Sequence, residues 1–393
     1  MRGPRHYTPL VPGVSAGGAR VAICNWRDLR HPESGGSERY IETVARGLSA
    51  RGNDVTLLSA RVDGAPGDEE VDGLRYRRRG GRLTVYGAAA AALLLRRVDP
   101  DVVLDVQNGV PFLSPIVTGR RVAVLVHHVH REQWPLVLGG RRARIGWWVE
   151  SRLGPAIYRH APYMTESAAT ARELAALGVA PDRICVVGIG APALPEPGAR
   201  RSASPRIVVL GRLVPHKRVE LALEAVARLR ARFGDLVVDV VGRGYWEEHV
   251  RAAAHRLGLD GAVELHGFVD EQAKVDLLAR AWVHVVPSVK EGWSLATIEA
   301  GLCGTLSVAL AGSGGTEESV ADGKTGLVVD GGSDALCDAL AALLSDPVRI
   351  EAMGAAARAG ALALSWSDTI GRISAVLDAA MGVPAGQPAG TSA

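Results

Sequence analysis

Cysteine is sparse in this chain of 393 residues: Cys24, Cys185, Cys303 and Cys337 stand far apart, without the paired spacing of a zinc site. Scattered, apolar-flanked thiols fit a reduced, cytoplasmic protein rather than a disulfide framework. Long apolar runs are missing too. The longest strongly apolar stretch, Gly87 to Leu95, is far short of the roughly 20 residues a membrane span needs. The opening MRGPRHYTPLVPGVSAGG has no apolar core and does not read as a secretory signal. Neither sign of charge dominates, and a formal balance of +3 is too small to argue for nucleic-acid binding. Lysine is nearly absent against abundant arginine. It occurs only at Lys217, Lys274, Lys290 and Lys324, so each position carries information.

What remains is ordinary globular material, 47% hydrophobic and 22% charged. At about 150 residues per domain, the length predicts two domains. A strand–helix grammar runs through both halves. The first half predicts strands at Arg20–Asn25, Asp54–Ser59, Val102–Val106 and Val122–Val126, with a helix from Ser37 to Arg51 stopped by Gly52. Continuous β-branched runs without alternation indicate strands buried on both faces of a parallel sheet. The Pro-rich APALPEPGARRSASP breaks the pattern as a linker, and the grammar restarts with strands at Ile207–Leu210, Val237–Val241, Val263–His266, Val283–Val286 and Leu306–Ala309. The expected organisation is a flexible extension over 1–19, a first Rossmann-like domain over 20–195 and a linker over 196–205. A second Rossmann-like domain follows over 206–364, then a helix over 365–381 returning toward the first domain, and a disordered tail over 382–393. Open parallel sheets bind ligands at the carboxyl ends of their strands, and two such domains facing one another make a cleft.

The residues at those strand ends suggest a diphosphate. Arg212 and Lys217 follow the strand ending at Leu210, where a guanidinium fork and an ammonium can take up the charge that builds on a leaving diphosphate. Gly35 and Gly36 precede a helix, allowing close approach of its N-terminal amides to an anion, although a plain cap by Ser34 or Ser37 would also explain the loop. In VVPSVKEGWSLATIEAGLCGT, Glu291 lies in the loop after a buried strand, Gly292, Trp293 and Ser294 fall at a helix start, and Glu299 sits within the helix. Carboxylates accept from vicinal hydroxyls. An unpaired charge at Glu299, between Ile298 and Ala300, would be costly.

These segments, in this order, resemble the retaining glycosyltransferases of family 4, which have the GT-B fold of two facing Rossmann-like, doubly wound parallel-sheet domains. The resemblance runs from Val21 to about Val376 through GGSERYIETVARGLSARGNDVTLL, GRLVPHK, VVGRG, HGFVD, VVPS, the glutamate pair and GGTEESVADGKTGLVV. It implies a hexosyltransferase that takes a UDP- or GDP-sugar, retains anomeric configuration and needs neither metal nor other cofactor. By it, Gly35 and Gly36 amides touch the diphosphate, Arg212 and Lys217 neutralise it, and Glu291 binds the donor sugar. The amides of Trp293 to Leu295 bind phosphate, Glu299 binds the ribose, and Gly242, Phe268 and Val269 hold the base. His127, ending VAVLVHHVH, matches the histidine beside the reacting sugar, with His128 and His130 offered to the acceptor. Asn53, Trp282, Leu306 and Thr316 depart from the commoner pattern at packing or loop positions.

Two features carry second readings. Asp99-Pro100-Asp101 could chelate a divalent ion in another glycosyltransferase architecture but reads here as a turn before a strand. The stretch over 130–161 mixes Arg131, Arg141, Arg142, Arg144 and Arg152 with Trp134, Trp147 and Trp148. Core tryptophans with solvated arginines are the favoured reading, and peripheral contact with an anionic membrane is the alternative. Acceptors consistent with the sequence are a small natural product, an amino sugar or cyclitol, or a cell-surface glycan or glycolipid. A pyridoxal-phosphate phosphorylase, a nucleotide-sugar epimerase and a non-catalytic binding protein are the rival classes.

Overall fold

The computed structural model describes residues 18–119 and 121–383. Most of the expected extension over 1–19 and tail over 382–393 therefore lies outside the described residues. The described residues form two compact units, one from 18–190 with 366–383 and one from Ala191–Ser365.

The first unit holds strands β1 (Arg20–Cys24), β2 (Asp54–Ser59), β3 (Asp68–Val71), β4 (Leu74–Arg78), β5 (Val102–Gln107), β6 (Val122–Val126), β7 (Tyr163–Thr165) and β8 (Ile184–Val186). They form one sheet in the order β3-β4-β2-β1-β5-β6-β7-β8, parallel throughout except for antiparallel β3. Every residue of β5 and β6 is buried, as a sheet covered on both faces requires. The β3–β4 hairpin escaped the sequence reading because DEEVDGLRYRR is too charged to look like a strand. Its charges are satisfied in pairs: Arg78, 1% exposed, bonds Asp28 and Glu69. The helix Trp366–Met381 packs on the helix Gly36–Ala50, where Gly47 leaves room for Ile370 and a Cβ would lie 2.1 Å from Ile370 Cδ1.

The second unit is a six-stranded parallel sheet ordered β11-β10-β9-β12-β13-β14, from β9 (Arg206–Leu210), β10 (Val237–Val241), β11 (Val263–Gly267), β12 (Val283–Val286), β13 (Leu306–Leu310) and β14 (Gly326–Val329). Strand order reverses direction at β9, so a crevice opens beyond the carboxyl ends of β9 and β12. Gly242 is needed for this end of the sheet to close. Its φ is 132°, and a Cβ there would stand 2.0 Å from Gly211 O. Three departures from the family pattern also have local explanations: Asn53 Nδ2 donates to Leu48 O at 2.9 Å, Trp282 Nε1 to Ser202 O at 2.9 Å, and Leu306 is core.

His284 lies fully buried in β12 with Nδ1 2.9 Å from Ser307 Oγ. Burial, and secondarily the Lys217 charge, push its pKa down to about 3. The unfolded chain thus takes up a proton near pH 6.5 that the folded chain refuses until about pH 3, so this group's contribution is present above pH 6.5 and lost as pH falls. Urea unfolding of His284→Asn should therefore be less acid-sensitive than wild type. Between pH 6.5 and 4.5 the wild type should lose about 2 kcal/mol more than the variant, and parallel pH profiles would contradict the assignment.

Candidate active site

In the second unit, three loops at the carboxyl ends of β9, β12 and β13 are stitched together by main-chain bonds. Val289 N–H donates to His216 O at 2.8 Å. The Arg218 guanidinium, half-buried, donates to Pro287 O at 2.9 Å and Ser288 O at 3.2 Å. Arg218 is therefore a tie between loops and not part of a solvated basic stretch. Glu291 N–H donates to Ser313 O at 3.0 Å, and Gly315 N–H to Glu291 O at 2.9 Å, which fixes the Glu291 backbone.

This stitching brings Lys217 and Glu291, 74 positions apart, into a 2.7 Å contact between Nζ and Oε1. Ser288 Oγ donates to the same oxygen at 2.6 Å. Arg212 lies half-buried just beyond the end of β9. The helix Leu295–Leu302 has Ser294 as its cap, accepting from Thr297 N–H at 3.2 Å. Gly292 and Trp293 thus lie in the loop before the first turn. Phe268, 78% exposed, is an open aromatic face at the end of β11, while Val269 packs inward.

Glu299 is buried as expected, but its charge is not unpaired. Lys274, from the helix Glu271–Arg280, reaches Glu299 Oε1 at 2.7 Å and Glu271 Oε2 at 2.9 Å. The sequence reading noted Lys274 for its rarity but gave it no role. The signals were there: a lysine in a chain nearly devoid of them, and Asp270 three residues before Ala273, whose N–H its side chain caps at 2.8 Å.

In the first unit, His127 directly follows β6 and is buried, with its ring 5.6 Å from Tyr40 in an edge-to-face contact. Its Nδ1 meets the Glu166 carboxylate, while its Nε2 is buried with no partner among the described residues. Burial lowers the pKa of this ring, but the carboxylates of Glu166 and Glu38 outweigh it and the net shift is upward. His128 and His130 stand apart in role, their rings 4.1 Å apart. His130 is anchored on buried Glu150, which takes its Nδ1 at 2.9 Å and Trp134 Nε1 at 2.7 Å, and His128 faces Gln133 at 3.2 Å. Glu150 lies in a π-helical turn, Val149–Leu153.

Neither Ser34 nor Ser37 caps the helix Gly36–Ala50. Gly35 is the cap residue, and its N–H donates to Glu38 Oε2 at 2.7 Å while Arg27 Nε holds Glu38 Oε1 at 2.9 Å. A phosphate reaching the Gly35 amide has to displace that carboxylate. Asp99 and Asp101 both clasp Arg20, at 2.9 and 2.8 Å, in the segment between the helix Val85–Leu94 and β5. Asp239, Glu264 and His266 are the one group among the described residues with metal-ligand atoms within 4.8 Å of one another. Arg206 already bonds both Asp239 oxygens at 2.8 Å and Glu264 at 2.9 Å, compensating their charge.

Known proteins supply the family. The model for Glycosyltransferase Family 4 matches residues 34–193 and that for Glycosyl transferases group 1 matches residues 192–360. The chain is 30% identical over 363 residues to the GDP-mannose-dependent alpha-(1-6)-phosphatidylinositol monomannoside mannosyltransferase of Mycolicibacterium smegmatis, covering 84% of this chain and 91% of that one. It is 30% identical over 427 aligned positions to the D-inositol 3-phosphate glycosyltransferase of Acidothermus cellulolyticus, covering 94% and 93%. Among solved structures, the sucrose-phosphate synthase of Thermosynechococcus elongatus superposes with a TM-score of 0.74 at 20% identity, over 90% of this chain and 96% of that one. Sequence and fold agree that this chain belongs to the family 4 glycosyltransferases and has their GT-B fold.

Proposed function

We propose that the chain transfers a hexosyl group from a UDP- or GDP-sugar to an acceptor hydroxyl, with retention at the anomeric carbon and without a metal ion. The observation that carries this reading is the Lys217–Glu291 contact of 2.7 Å at the sheet's switch point. It joins a cation suited to a diphosphate and a carboxylate suited to sugar hydroxyls, which are the two ends of a nucleotide sugar either side of the bond that breaks. In the proposed step the anomeric C–O bond to the diphosphate breaks while the acceptor oxygen bonds the same face. The acceptor proton passes to the departing phosphate oxygen. Lys217 and Arg212 take up the charge left on the diphosphate, the role an ion would otherwise fill. Glu291 and His127 position the sugar. With Nδ1 fixed on Glu166, Nε2 is the His127 atom available to a hydroxyl. Glu299 takes the ribose diol. Two full-length relatives carry names that share a phosphorylated inositol, so we take that moiety, free or lipid-borne, as the first acceptor class and GDP-mannose as the first donor.

Lys217→Met and Glu291→Gln should each lower transfer from the active donor by at least about 100-fold, the scale of losing one charge-stabilising group. The unfolding midpoint should stay within a few degrees, since both side chains lie near the surface at 22% and 14% exposure. Near-wild-type turnover in either variant would overturn the reading.

Lys274→Met should destabilise by about 3–5 kcal/mol by removing the ammonium that compensates the buried Glu299 carboxylate. Adding Glu299→Leu should restore the melting temperature without restoring donor binding measured by calorimetry. Recovery of both would make the pair purely structural.

A further inference from the structure

One face of the first unit gathers exposed arginines beside exposed apolar side chains. Several exposed arginines elsewhere are matched with carboxylates, as Arg20 with Asp99 and Asp101, Arg46 with Glu42 and Asp72, Arg75 with Asp54 and Arg79 with Asp68, while Arg61, Arg96 and Arg97 stand singly without one. On the helix Gly140–Trp148 and the π-helical turn after it, Arg141, Arg142, Arg144 and Arg152 are all exposed. None makes a hydrogen bond or ion pair among the described residues. The tryptophans of this stretch divide. Trp134 is pinned by Glu150 and packs against Gly146, where a Cβ would lie 2.6 Å from its ring, and Trp147 joins the core. Trp148 does neither and is 55% exposed.

The spacing explains why these groups share a face. Arg141, Ile145 and Trp148 follow each other by four and three positions, which stacks them on one stripe of the helix, opposite buried Ala143 and Gly146. Ile145 is 63% exposed, and the neighbouring turn Trp134–Val137 adds exposed Leu136, Val137 and Leu138. The result is an apolar strip with an indole, flanked by unpaired guanidinium groups. From Arg131 to Arg152, Glu132 is the only exposed carboxylate, because Glu150 is buried.

We infer that this face docks on an anionic lipid bilayer, with Ile145, Trp148 and the Leu136–Leu138 turn entering the headgroup region and the arginines meeting lipid phosphates. Among the described residues no helix is long and apolar enough to cross a membrane, so the contact is peripheral. A second copy of the chain suits this face poorly, since a two-fold contact would oppose like charges. Nucleic acid has no use for a row of exposed aliphatic side chains. Aliphatic burial, an indole at the boundary and cations facing anionic headgroups together fit a membrane surface. The inference rests on this face alone and stands whatever the enzyme's substrates are.

Flotation of the full chain with vesicles tests it. The chain should float with mixed phosphatidylglycerol–phosphatidylcholine vesicles, stay behind with phosphatidylcholine alone, and detach as salt is raised. Arg141→Gln with Arg144→Gln should lower partitioning about 25-fold, fivefold for each charge near an anionic surface. Ile145→Ser with Trp148→Ser should lower it at least about tenfold at unchanged melting temperature. Failure of the wild type to float with anionic vesicles overturns the inference, as does equal flotation of wild type and variants. A wild-type dimer that Trp148→Ser splits, without vesicle binding, would make this face a protein contact instead.

Discussion

The contact between Lys217 and Glu291 is the constraint on which the chemistry proposed for the second unit depends. A half-buried ammonium is a liability unless something compensates it, and Glu291 does so at 2.7 Å. The compensation need not be undone when a ligand arrives. An ammonium carries three N–H donors, so one can stay on Glu291 while two face phosphate oxygens. Glu291 likewise has a second oxygen, since Lys217 and Ser288 both address Oε1. The pair thus fixes both groups and leaves each with spare capacity. Arg218 and the main-chain bonds among three loops make that geometry a property of the sheet's edge rather than of two flexible side chains.

Much of the architecture was legible because parallel sheets write themselves in continuous apolar runs. Val122–Val126, Val237–Val241 and Val283–Val286 stand where the sequence predicts them to the residue. What escaped was whatever broke that signature. The β3–β4 hairpin is charged because its charges pair across the sheet edge with Arg78 and Arg79. The short strands β7 and β8 have only three residues each, too few to show a pattern. At the candidate site, residue types and strand-end positions pointed to Arg212, Lys217, Glu291 and Glu299. The partners of those residues did not show, because pairing across 25 or 74 positions is decided by tertiary packing. Lys274 is the clearest case: its rarity was noticed, yet nothing local ties it to Glu299. The Glu38 carboxylate on the Gly35 amide is another, a contact three residues long that serines at 34 and 37 concealed.

The first unit treats its charges in two ways, and the contrast is informative. Buried acids are each committed: Glu38 to Arg27, Glu150 to His130 and Trp134, Glu166 to His127, and Asp105 to Ser114 and Tyr158. Burial requires that, because an uncommitted carboxylate there would be protonated or destabilising. The committed acids hold histidines in set orientations, so that the free ring edge of His127 is a consequence of Glu166. The arginines of the helix Gly140–Trp148 obey no such requirement, since water satisfies them.

The central claim is that side chains and amides of this chain, with no ion, compensate a nucleoside diphosphate. Titration calorimetry of GDP and UDP against the full chain, with a chelator or with Mg²⁺ present, tests it most directly. The account predicts binding of at least one of the two nucleotides with the same affinity in both conditions. Heat that appears only when Mg²⁺ is restored would contradict it.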